Sequence, residues 1–146
     1  MMENLGGLEN EEVKEEKEER VVAFEEKKRK LPWFSWTVSD KEYRLKLTTP
    51  NILKLENKYR CNITGLVMGE DIPPLSVMLT IINAALLPYH HGISYQDVQK
   101  IYDSWAEDGG NQQQLFTKVV LPVMAVSGFF TEKQIQMLNQ TIEEDI

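Results

Sequence analysis

Among the 146 residues of this chain, one cysteine and two histidines, Cys61, His90 and His91, are the side chains best suited to nucleophilic or metal-assisted chemistry. Such chemistry needs a nucleophile beside a base, paired carboxylates, or metal ligands gathered in a cleft. His90 and His91 are adjacent, and neighbours on a chain entering a loop point in different directions. Joint chelation would require an unusual backbone and added carboxylate ligands. A helix-terminal role is the more natural reading, because imidazolium near a helix C-terminus interacts favourably with the dipole and Gly92 can take the left-handed closing conformation. Cys61 lies between Arg60 and Asn62, which make no catalytic motif, and reads as a small free side chain. As the single cysteine, it excludes an intramolecular disulfide framework or a zinc thiolate cluster built from this chain, and it suits a reducing compartment. The run GGNQQQ, residues 109–114, shares two glycines with a phosphate loop and nothing more, so it reads as a link between helices. No catalytic, cofactor-binding or metal-ligating residue is assigned, and the expectation is a non-enzymatic protein.

Charge narrows the partners. The chain carries 16 basic and 23 acidic residues, a net charge of −7, which repels a phosphate backbone unless basic residues cluster on one face. Neither nucleic-acid binding nor membrane association is expected. The most apolar stretch, PPLSVMLTIINAALLPYHHGIS at residues 73–94, is interrupted by Ser76, Thr80, Asn83 and Pro88 and falls short of the roughly 20 apolar residues that a membrane span needs. The Glu- and Lys-rich start is unlike a secretory signal. The N-x-T triplets at Asn62 and Asn139 therefore read as chance matches.

The elements that would position any site follow from periodicity. Residues 1–30 hold 10 acidic and 7 basic side chains around few apolar ones and read as a charged flexible arm. Within the arm, Lys27–Lys30 is a solvated charge run, and Val21–Phe24 is its apolar patch. The remainder, 31–146, reads as a single mainly α domain: a compact unit of four to five helices with an N-terminal β-hairpin at 33–47. The hairpin strands are placed at Trp33–Val38 and Glu42–Leu47, with Ser39, Asp40 and Lys41 as turn material. Tyr43, Leu45 and Leu47 alternate with Glu42, Arg44 and Lys46, so one face is buried and the other solvated. Thr48 or Thr49 caps a helix at about 50–60, in which Ile52, Leu55 and Tyr59 share a face. Cys61–Pro74 is a connecting segment.

The second main helix follows in the apolar stretch. Its polar residues form only a narrow stripe, Ser76, Thr80 and Asn83, so it must be covered on more than one side. Either it is the central core helix, or another chain supplies part of its cover. Ser94 and Asp97 form a capping pattern for a third helix that Gly109 and Gly110 end. A fourth helix runs from about 111 to 127 with a kink expected at Pro122, and Thr131 with Gln134 caps a last short one.

The order of these motifs resembles one family. WTVSDKEYRLKLTTPNILKLENKY looks like the start of the phage tail assembly chaperones of long-tailed phages and prophages, a hairpin followed by L-T-T and a helix carrying an L-E pair. The apolar stretch is similar to that family's long second helix, and VQKIYDSWAEDGGNQQQLFTKVVLPVMAVSGFF resembles its remaining two helices and S-G-F-F close. The resemblance covers about residues 33–130. It implies a protein of the bacterial host cytoplasm, absent from the mature virion, that binds the tape measure protein and helps tail tube protein assemble around it. Many members also exist as a longer frameshifted form. A homo-oligomer is expected as well, since a two-stranded hairpin invites pairing between chains. Covering an apolar helical client needs apolar surface. The residues expected to supply it are Leu75, Met78, Leu79 and Ile82 on the apolar helix, with Phe129 and Phe130 after the fourth helix. The alternative is a small phage-encoded adaptor or regulatory module.

Overall fold

The computed structural model describes residues 32–144, and of 141–144 the backbone alone. The charged arm therefore lies outside the described residues. The unit that begins at Trp33 is mainly helical with an N-terminal antiparallel hairpin.

Strand β1 is Phe34–Val38 and β2 is Lys41–Leu45, paired in the register Val38 opposite Lys41, Trp36 opposite Tyr43 and Phe34 opposite Leu45. The turn is one residue shorter than the sequence suggests. Only Ser39 and Asp40 lie in it, at φ of 51° and 66°, and Lys41 already pairs with Val38. Two left-handed residues in succession match the right-handed twist of the strands they join, and serine and aspartate occupy them here without glycine's freedom. Trp36, Val38, Tyr43 and Leu45 face the core, while Ser35, Thr37, Glu42 and Arg44 face outward, as the alternation requires.

Six helices follow among the described residues. Helix α1 is Thr49–Tyr59, entered through extended Thr48 with Pro50 in its first turn and closed by Arg60 in the left-handed conformation. The segment expected to be a plain connection contains a helix, α2, Ile63–Val67. Its sequence shows no periodicity because it is barely more than one turn long. Asn62 Oδ1 accepts from Gly65 N–H to start it, and Ile63 and Val67, four residues apart, are buried. Helix α3 is Leu75–Leu86, and α4 is Tyr95–Glu107 with the expected capping box: Ser94 Oγ accepts from Asp97 N–H at 3.0 Å, and the Asp97 carboxylate accepts from Ser94 N–H at 2.9 Å.

Helix α5 spans Gln112–Val126, and its middle, Phe116–Val120, is π-helical. Pro122 has no N–H to give the carbonyl four residues back, and its ring crowds that carbonyl. Widening the preceding turn relieves the crowding, and Leu121 N–H reaches back to Phe116 C=O. Helix α6, Glu132–Glu144, starts with the expected Thr131 and Gln134 box.

The core is one cluster. Leu45, Leu47, Ile63, Met78, Ile81, Ile82, Leu86, Leu115 and Met124 are its largest fully buried members, and α3 runs through it against β2, α1, α4 and the π-helical turn of α5. The hairpin end is tied down by three backbone donors. Arg44 N–H reaches His90 Nε2 at 3.1 Å, Lys46 N–H reaches Ala85 C=O at 3.0 Å, and Leu47 N–H reaches Ser127 Oγ at 2.9 Å.

Candidate partner-binding surface

The six residues expected to meet a partner divide into two groups. Met78, Leu79 and Ile82 are buried in the chain's own core, which corrects the expectation that they form a surface. The physical reason is coverage from several directions: the hairpin lies on one side of α3, with α1, α4 and α5 around the rest. Val77, Ile81, Ala85 and Leu86 are buried in the same way. The polar stripe escapes only in part, since Asn83 is half-buried and its Oδ1 lies buried. Ser76 is exposed, and Thr80 Oγ1 donates to Ser76 C=O at 2.7 Å. Leu75, Phe129 and Phe130 are half-buried and packed against the core, each keeping part of its surface open. Gly128, at φ 89°, turns the chain after α5 so that Phe129 N–H bonds back to Met124 C=O.

Exposed apolar side chains occur elsewhere. Leu53 on α1 is 59% exposed, and Met68, directly after α2, is 46% exposed. Neither was singled out from sequence. Leu53 could have been, because it is an aliphatic residue out of phase with the Ile52, Leu55 and Tyr59 face. Met68 follows a helix that the sequence did not reveal.

The histidines are positioned by the loop leaving α3. The N–H groups of Tyr89 and His90 both bond to Leu86 C=O, and Gly92 takes the left-handed conformation at φ 81°, not as the closing residue of α3, which ends at Leu86 with Leu87 as its cap, but in the following turn, where Ile93 N–H bonds to His90 C=O. His90 itself does not act as a cationic cap. Its Nε2 is a hydrogen-bond acceptor for Arg44 N–H, a role open only to neutral imidazole carrying its proton on Nδ1. Partial burial lowers its pKa first, and the neighbouring charges of Lys41 and Arg44 lower it further. His90 thus satisfies an outward-facing strand donor, and its ring lies 5.4 Å from that of Tyr43.

Around this contact, cations and rings alternate. The Arg44 guanidinium lies 4.3 Å from the centre of the Trp33 ring, Trp33 meets Tyr89 edge-on at 5.7 Å, and the Lys41 ammonium lies 5.1 Å from the Tyr43 ring. An open cleft of about 430 Å³ lies between the hairpin turn and the start of α4, with Lys41 and Tyr43 on one wall, Lys100 and Ile101 on the other, and Gly92 and Ile93 between them.

Cys61 is free and exposed. Among the described residues, no group of three or more histidine, cysteine, aspartate or glutamate side chains could hold a metal ion, and no helix is long and apolar enough to cross a membrane. Comparison with known proteins finds no matching family model, curated protein or solved structure.

Proposed function

We propose that this chain is a non-enzymatic tail assembly chaperone of a phage or prophage, which binds the tape measure protein and assists assembly of the tail tube protein. The observation that carries the reading is the succession of elements from Trp33 to Phe130. A hairpin is followed by the L-T-T helix, the short α2, which the resemblance does not include, an apolar helix at the centre of the core, two further helices and the S-G-F-F close; apart from α2, this is the order of motifs on which the resemblance rests. Client contact falls to apolar side chains with open surface, namely Leu53, Met68, Leu75, Phe129 and Phe130, and methionine suits a surface that must adapt to varied partners. The protein acts in the cytoplasm of the bacterial host and does not remain in the mature virion. Self-association through the sheet would use β1, since donors of β2 and the residues just beyond it are engaged within the chain.

Co-expression with the tape measure protein of the same tail gene cluster, followed by pull-down, tests the reading. Co-purification and a gain in client solubility are expected; neither occurring refutes it. One observation favours a small adaptor module instead, the cationic cleft beside the hairpin turn. Retention of that cleft's ligand by a chain that ignores the tape measure protein would establish the adaptor.

A further inference from the structure

The cleft at the hairpin turn has a chemistry of its own. Two ammonium groups on separate elements border it, Lys41 at the first position of β2 and Lys100 in the second turn of α4. Facing them is a single carboxylate, Asp97, which is already engaged as the capping partner of Ser94. His90, held neutral by the Arg44 N–H, and His91 also line the cleft; with both histidines counted neutral, as in the chain's net charge of −7, two positive charges stand against one negative. The surplus is local and small. The capping box occupies the start of α4, so the attraction comes from the lysines rather than from the helix end. Lys41 is held beside the face of Tyr43, and Lys100 lies one turn beyond Asp97, whose carboxylate it further favours in ionised form. Tyr43, Ile93 and Ile101 add apolar wall.

We propose that this cleft binds the carboxylate of a peptide segment, seated between the Lys41 and Lys100 ammonium groups with its neighbouring aliphatic carbons against Tyr43, Ile93 and Ile101. The surplus of one positive charge matches a monoanion and is too small for a polyphosphate or nucleic-acid strand, which the overall negative charge repels. A volume of about 430 Å³ accommodates a side chain and its flanking residues, within the usual range for small-ligand sites. The binding is independent of the chaperone reading, because it requires no tape measure protein.

The test is a two-dimensional amide NMR titration of the full chain with three peptides: acetyl-Leu-Glu-Leu-amide, its acetyl-Leu-Gln-Leu-amide twin, and acetyl-Leu-Gln-Leu with a free C-terminus. Saturable shifts at Gly92, Ile93 and Lys100 are expected with either carboxylate-bearing peptide and not with the neutral twin, and comparison of the two assigns the source as side chain or chain terminus. Lys41→Gln and Lys100→Gln, both at exposed positions, should each weaken binding about threefold, as expected for partly screened charges. If Lys41→Gln disturbs the hairpin, seen as shifts throughout β1, Lys100→Gln on the other wall decides alone. The proposal is overturned by equal shifts with the neutral twin, by no saturable shift, or by inorganic phosphate saturating the same amides at lower concentration than the peptides.

Discussion

Replacing Ser127 by alanine isolates one long-range contact. Ser127 Oγ accepts from Leu47 N–H at 2.9 Å and donates to Val123 C=O at 2.6 Å, joining the residue beyond β2 to the end of α5. In Ser127→Ala the Val123 carbonyl keeps a partner, since Ser127 N–H also reaches it at 3.1 Å. Leu47 N–H loses its partner, and it belongs to a buried residue. A buried donor left unsatisfied costs about 1–3 kcal/mol, so the variant should lose about 2 kcal/mol, a factor of roughly 30 in the ratio of folded to unfolded chains. Urea unfolding followed by the fluorescence of the three tryptophans, Trp33, Trp36 and Trp105, measures it. With an ordinary urea dependence for a chain of this size, the midpoint should fall by roughly 1 M with unchanged slope. Ser35→Ala is the control. Its hydroxyl bonds Glu42 at 2.9 Å on the exposed face of the hairpin, and it should change stability by less than about 0.5 kcal/mol. If Ser127→Ala matches that control, the hydroxyl is not what anchors the hairpin and the reasoning fails.

Three further outcomes are expected. Met78→Ala should cost about 2–5 kcal/mol in the same unfolding assay because the side chain is fully enclosed, whereas Leu53→Ser should cost little and, on the proposed chaperone reading, instead reduce recovery of a co-expressed tape measure protein in pull-down. His90 should make stability acid-sensitive. Its folded-state pKa is lowered below the ordinary value of 6.5, so the unfolded chain binds the extra proton first. The contribution of the neutral ring is full above that value and declines as pH falls through the folded-state pKa, and a melting-temperature series in wild type and His90→Phe should show this acid sensitivity in the wild type alone. The double variant Ser39→Asn, Asp40→Gly should raise stability by about 1 kcal/mol in thermal unfolding, because both positions are left-handed and these residues adopt that conformation at lower cost.

Features that depend on chemistry within a few residues were legible in the sequence. The Ser94 with Asp97 and Thr131 with Gln134 boxes form between groups three positions apart, so the residue types suffice to place the starts of α4 and α6. Alternation in the hairpin, the left-handed conformation of Gly92 and the disturbance at Pro122 are local in the same sense, although the form of the last, a π-helical turn, depends on how α5 packs, and Gly92 serves a turn beyond α3 rather than its end. The two-residue turn was misjudged because neither Ser39 nor Asp40 advertises a positive φ as glycine would. Helix α2 left no trace, being too short for a period to emerge.

What remained hidden depends on partners far away in the chain. His90 reads as a cap until Arg44, 46 residues earlier, supplies the donor that makes it a neutral acceptor, and Ser127 reads as part of a short close until Leu47, 80 residues earlier, needs its oxygen. The apolar helix posed the same problem. Its composition requires cover over most of its circumference, but composition is blind to whether the cover comes from this chain or another. Tertiary packing decided it: the hairpin, α1, α4 and α5 enclose Met78, Leu79 and Ile82 within the chain, while α1 and the end of α2 leave Leu53 and Met68 in the open. Local hydrogen-bond geometry is encoded by neighbouring residue types. The burial of a given face is set by every element that packs on it, and so it emerges only when the chain is folded.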